Sequence, residues 1–181
     1  MEGAAEMGLA LGLFQVKIDG QVYNTTQSSF HVLSGSNLDD NTSIDGFQIT
    51  NGRADGNSWN SEGAGIYLSN SIITISNCIF HDNFTSGGRG AGIYVNNDST
   101  HSNWAPYFSL ELEPLKMFNC MFTQNISNFI GDGGAIYAKK TKILIKDCHF
   151  ENNYASRDGG AFLGHNTAST IVRSVFTKNQ A

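Results

Sequence analysis

The chain has 181 residues, a length suited to one domain or to a segment of a repeat array. Eleven Lys and Arg against sixteen Asp and Glu give a net charge of −5, which excludes a basic surface for nucleic acid or an anionic membrane. Only 15% of residues are charged, against roughly a quarter in an average soluble domain, and much of the polarity comes from 20 glycines together with Asn and Ser.

No stretch of about 20 apolar residues occurs, so no transmembrane helix is expected. Gly and Asn also disfavour long helices, and the composition points to short strands joined by polar turns. Residues 8–14 are apolar, but Glu2 and Glu6 precede them and the first lysine is Lys17. That lacks the positive leader and clear small-residue cleavage site of a secretory signal. Residues 1–28 are therefore expected to cover one end of the fold as a strand or short helix.

Repeats begin after this segment. Ile44-Asp45-Gly46-Phe47-Gln48-Ile49-Thr50-Asn51-Gly52 is a degenerate first copy, and the polar turn that follows it, to Glu62, carries Trp59. Gly63-Ala64-Gly65-Ile66-Tyr67 then recurs as Gly90-Ala91-Gly92-Ile93-Tyr94, Gly133-Gly134-Ala135-Ile136-Tyr137 and Gly159-Gly160-Ala161-Phe162-Leu163. Alternating with it are Cys78-Ile79-Phe80-His81-Asp82-Asn83, Cys120-Met121-Phe122-Thr123-Gln124-Asn125, Cys148-His149-Phe150-Glu151-Asn152-Asn153 and Ser174-Val175-Phe176-Thr177-Lys178-Asn179. The step from Ile66 to Phe80, Ile136 to Phe150 and Phe162 to Phe176 is 14 residues, whereas Ile93 to Phe122 takes 29, which places a 15-residue insertion at about 97–114. It carries Trp104, Tyr107 and Phe108. The last copy stops in mid-pattern, and the C-terminal rung is expected to continue into, or stack on, further β-structure.

At a rise of about 3.3 Å per residue, a repeat of this length makes one rung of about three short strands, and each rung buries its apolar side chains only by stacking on the next. The expected fold is all-β: a right-handed parallel β-helix, a single-stranded solenoid of about five to six rungs over 29–181, its hand following the rule for parallel connections. Phe80, Phe122, Phe150 and Phe176 should form one inward ladder, and Ile66, Ile93, Ile136 and Phe162 another. Asn83, Asn125, Asn153 and Asn179 should stack at a strand exit, bonding one another and tolerating left-handed geometry. Cys78, Cys120 and Cys148 read as buried small filler, because their count is odd, Ser174 takes the fourth place and no Cys-x-x-Cys pair is present.

A catalytic site would need acids converging from adjacent rungs. The outward positions Asn77, Asn119, Asp147, Arg173 and His81, Thr123, Glu151, Thr177 contain no two adjacent acids, and His81 and His149 stand singly. One charged column precedes the glycine corner: Glu62, Arg89, Asp132, Asp158. Its first three members alternate in sign and read as an ion ladder. Asp132 beside Asp158 is read either as two solvated turn carboxylates or as a weak Ca²⁺ candidate, and no other metal or cofactor is expected. Trp59, Trp104, Tyr107 and Phe108 are the candidate ligand-binding residues, since aromatics among Asn, Asp and Ser suit stacking on sugars or docking on a partner. The insertion could equally fold back over the outward apolar stripe Ile79, Met121 and Val175.

The paired Gly-Gly-Ala-Ile and Phe-x-x-Asn motifs resemble the repeats of the chlamydial polymorphic outer-membrane proteins and are similar to those of bacterial secreted right-handed β-helix repeat proteins. Two units here read Gly-Ala-Gly instead. The resemblance covers roughly residues 29–181 and implies an extracellular or cell-surface passenger on the bacterial envelope, often adhesive. Two readings follow. The first is a non-enzymatic surface or secreted module, acting as adhesin, binding module or structural spacer with a glycan or surface protein as partner. The alternative is a carbohydrate-active enzyme, a polysaccharide lyase or glycoside hydrolase, or a fragment of one.

Overall fold

The structure, a computed structural model, describes residues 16–19, 30–56, 58–97 and 113–181, with backbone alone for 16–19, 58 and 59. A lone strand, β1 (Val16–Asp19), comes first. The first turn then runs β2 (Leu33–Ser36), β3 (Ser43–Asp45), β4 (Phe47–Thr50) and β5 (Arg53–Ala54). The second is β6 (Ile66–Ser69), β7 (Thr74–Ser76), β8 (Ile79–His81) and β9 (Phe84–Ser86). The third is β10 (Ile93–Asn96), β11 (Leu115–Phe118), β12 (Met121–Thr123) and β13 (Ile126–Asn128). The fourth is β14 (Ile136–Lys139), β15 (Lys142–Lys146), β16 (His149–Glu151) and β17 (Tyr154–Ala155), and the last comprises β18 (Phe162–His165), β19 (Ala168–Val172) and β20 (Val175–Thr177).

Like strands stack in parallel into four sheets, named in the order the chain visits them. The first is β2-β6-β10-β14-β18, the second β3-β7-β11-β15-β19, the third β1-β4-β8-β12-β16-β20 and the fourth β5-β9-β13-β17. The result is a parallel β-solenoid of four complete turns and a three-stranded fifth. Each complete turn has four strands, not the three expected from repeat length, because the chain bends at four corners.

Left-handed residues make those corners. Asn37, Asn70, Lys140 and Asn166 end the first sheet, and Gly46, Asn77, Asn119, Asp147 and Arg173 end the second. Asn51, Asp82, Gln124, Asn152 and Lys178 end the third, all with φ between 52° and 58°. Gly63, Gly90, Gly133 and Gly159 lead back into the first. Asn, Asp and Gly enter this conformation at least cost, which is the physical origin of the Gly- and Asn-rich composition. The ladder asparagines themselves are not left-handed; the residue before each one is. That corrects the expectation placed on Asn83, Asn125, Asn153 and Asn179.

The inward columns are in register. Ile66, Ile93, Ile136 and Phe162 pair in sequence along the first sheet. The rings of Phe80, Phe122, Phe150 and Phe176 stack face to face at 4.7, 4.7 and 4.5 Å, within 5° of parallel. Beside them each amide Nδ2 donates to the next Oδ1 at 2.9 Å, from Asn83 to Asn125, Asn125 to Asn153 and Asn153 to Asn179. The cysteines are buried free thiols. They also bond: Cys78, Cys120 and Cys148 donate from Sγ to the carbonyls of Ser76, Phe118 and Lys146, and Ser174 does the same to Val172 at 3.0 Å. Ser174 fits the cysteine column because a hydroxyl closes the same turn.

Where the insertion leaves the first sheet, Asn97 holds the rungs on either side together. Its Oδ1 accepts from the Ser71 amide at 2.9 Å and its Nδ2 donates to Thr141 Oγ1 at 3.1 Å. The scaffold therefore passes the departure point without a break in its polar ladder.

Candidate functional site

On the first sheet the residue after each inward Ile turns outward, and the register aligns Tyr67, Tyr94 and Tyr137. Their rings stack at 5.3 and 5.5 Å, with His31 tilted against Tyr67 at 5.0 Å. Burial raises the pKa of all three phenols, with Glu62 adding to the effect at Tyr67 and Tyr94. They are therefore neutral hydroxyls at physiological pH. Burial also lowers the pKa of His31.

Beside this stack, at the glycine corner, lies the charged column. Arg89 donates from Nη1 to Glu62 Oε1 at 3.0 Å and from Nε to Asp132 Oδ2 at 3.2 Å, which is the sign-alternating ladder expected of Glu62, Arg89 and Asp132. The Asp132 side chain is 2% exposed. A buried carboxylate needs full compensation, and a second guanidinium provides it: Arg157 donates from Nε to Asp132 Oδ1 at 2.7 Å and from Nη2 to Oδ2. The Arg89 guanidinium also lies 5.3 Å from the centre of the Tyr137 ring.

Asp158 stands apart, 67% exposed, with its Oδ2 3.7 Å from Arg157 Nε. Arg157 thus sits between the two carboxylates proposed to share Ca²⁺, and both oxygens of Asp132 are engaged by arginine. Among the described residues no group of three His, Cys, Asp or Glu side chains is placed to hold a metal ion.

Arg89, Asp132 and Arg157 line an open cleft of about 420 Å³ together with Leu163 and the almost fully buried Tyr94 and Tyr137. Lys139, Asp158 and His165 complete its rim. The cleft crosses three rungs and lies along the solenoid axis. Elsewhere, both ring nitrogens of His81 are engaged, Nε2 by Gln48 at 2.6 Å and Nδ1 by Thr50 and Asp82 at 3.2 and 2.7 Å. That leaves no lone nitrogen for general base work. His149 Nε2 lies 3.6 Å from Glu151 Oε2.

Of the candidate ligand-binding aromatics, Trp104, Tyr107 and Phe108 lie outside the described residues. Trp59 is placed by its backbone in a 3-10 turn, Ser58–Ser61, at the corner between the fourth and first sheets. The cleft was not singled out in the sequence. Its tyrosines were in view as the last letter of each Gly-Ala-Gly-Ile-Tyr or Gly-Gly-Ala-Ile-Tyr motif. Arg157 carries no repeat signal, because it falls one residue before the charged column and reaches Asp132 across the turn.

Residues 119–139 match the Chlamydia polymorphic membrane protein repeat. Over 97 residues, 54% of this chain, the sequence is 34% identical to a probable autotransporter, YfaL, of Escherichia coli strain K12, of which it spans only 7%. No solved structure matches. The chain is a β-solenoid, and one of its repeats, residues 119–139, is similar to the polymorphic membrane protein unit.

Proposed function

We propose that this chain is a surface-exposed section of a longer bacterial passenger protein, a rigid non-enzymatic solenoid that presents a docking face to a glycan or a surface protein. The observation that carries this reading is the state of three carboxylates among the described residues. Asp132 is held by Arg89 and Arg157, Glu62 by Arg89, and Asp147 by both Arg173 Nε and Nη2 at 2.7 Å. Carboxylates fixed by guanidinium groups shape a surface; acid–base or nucleophilic work on a sugar needs two that face each other across the bond to be broken. Similarity to the repeats of an autotransporter and of chlamydial membrane proteins supports display at the cell surface.

The test has two arms. Externally added protease should remove the epitope of this segment from intact cells, and the isolated chain on a glycan array should retain ligands without releasing sugar products. Protection in intact cells would remove the surface assignment. Turnover of any polysaccharide would restore the lyase or hydrolase reading.

A further inference from the structure

The most exposed large apolar side chains among the described residues are Phe129 and Ile130, at 67% and 70%, in the turn that follows β13. Ile126 and Tyr154, successive members of the outward column of the fourth sheet, are 37% and 38% exposed. Phe84 continues that column one rung earlier, with the Arg53 guanidinium 4.8 Å from its ring centre. A projecting tip and a shallow apolar shelf therefore occupy one face.

The fold does not need the tip. The second turn makes the same corner with Gly87 and Gly88 between Ser86 and Arg89, where the third has Phe129, Ile130 and Gly131 between Asn128 and Asp132. Phe129 and Ile130 are left-handed there, which is unfavourable for bulky and β-branched residues. Hydrogen bonds nonetheless hold the turn: the Phe129 amide donates to Asn128 Oδ1 at 2.9 Å and the Gly131 amide to Ser156 Oγ at 3.0 Å. A tip fixed in this way loses little freedom on docking.

Charge and area identify the occupant. In β5, β9, β13 and β17 the one charged residue is Arg53, which pairs with Asp55 at 2.8 Å, and Arg157 beside the tip is matched by Asp132. Two copies of a chain of net charge −5 can meet across this face without setting like charges together. The four exposed side chains offer about 400 Å² of apolar area per copy. At the usual apolar share of about 60%, that corresponds to about 650 Å² per partner and about 1,300 Å² in all, near the lower end of specific interfaces.

We infer that two copies of this chain associate through the fourth sheet about a two-fold axis, the Phe129–Ile130 tip of each seated on the Ile126–Tyr154 shelf of the other. The contact is isologous, so it closes at two. It goes beyond the docking-module reading, which needs no second copy.

Sedimentation equilibrium on the full chain tests it. The weight-average mass should rise from that of one chain toward that of two between about 1 µM and about 1 mM, the span suited to an interface of this size. Phe129→Asn with Ile130→Gly supplies residues suited to left-handed backbone and removes the tip. It should weaken association by about tenfold or more, with no loss of melting temperature in dilute solution. Tyr154→Lys places a charge on the shelf and should weaken association likewise, its fold verified by circular dichroism. A wild-type chain that stays monomeric, either variant associating as tightly as wild type, or a mass that climbs beyond two chains would each overturn the inference. A monomeric chain captured by phosphatidylethanolamine–phosphatidylglycerol vesicles would also overturn it, by giving the tip to a lipid surface. The docking-module reading survives any of those outcomes and falls only to turnover or to loss of surface exposure.

Discussion

Asn125 donates from Nδ2 to Asn153 Oδ1 and accepts at its own Oδ1 from Asn83 Nδ2, both at 2.9 Å, so one wholly buried amide joins three rungs. The same Nδ2 also donates to the Phe80 carbonyl at 3.0 Å. Asn125→Ala would strip that carbonyl of this donor and leave buried Asn83 Nδ2 with the Ile49 carbonyl alone. A loss of about 3 kcal/mol is expected, at the upper end for unpaired buried polar groups. Urea denaturation checks it, and a loss below about 1 kcal/mol would mean the ladder contributes only marginally.

Glycine serves two different purposes at the corners. At Gly134 an added Cβ would lie 2.1 Å from the Gly160 carbonyl oxygen and 2.5 Å from that of Tyr154, so backbone has to move. At Gly46, with φ of 76°, nothing lies within 4 Å. Gly134→Ala should cost about 3 kcal/mol by overpacking, and Gly46→Ala about 1 kcal/mol from left-handed backbone alone. Equal losses in thermal melts would contradict the distinction.

Phe129 and Ile130 are both left-handed, with φ of 51° and 69°, and both are largely exposed, at 67% and 70%. A β-branched residue in that region is strained. Ile130→Gly gives up little burial and removes the strain, so the protein should gain about 1 kcal/mol. A lower melting temperature for this variant would show that Ile130 makes a compensating contact.

His31 sets a pH dependence. Burial lowers its folded pKa below the unfolded value of about 6.5. The unfolded chain therefore binds its proton first, and the stability contributed by neutral His31 is present above that pH. It is lost as pH falls toward the folded pKa. The melting temperature of wild type should drop more steeply between about pH 7 and pH 5 than that of His31→Gln. Parallel curves would remove His31 as the cause.

The inward columns were legible because each recurs at 26 to 28 residues wherever no insertion intervenes, and Phe80 to Phe176 and Ile66 to Phe162 stand where that spacing put them. The sign-alternating ladder of Glu62, Arg89 and Asp132 was legible for the same reason. The fourth strand of each turn was not, since β9 and β17 are three and two residues long and carry no repeated motif of their own. Arg157 was also out of reach. Its role depends on a turn that carries it back to a residue 25 positions earlier, and no periodicity encodes that distance. The thiol-to-carbonyl bonds show why a serine occurs in a column of cysteines, which composition alone presented as filler.

Display at the cell surface is what the similarity to an autotransporter and to chlamydial membrane-protein repeats most directly predicts of this solenoid. Externally added protease on intact cells, with an antibody to this segment as the readout, tests it. Loss of the epitope without cell lysis is the expected result, and an epitope protected until the cells are opened would contradict it.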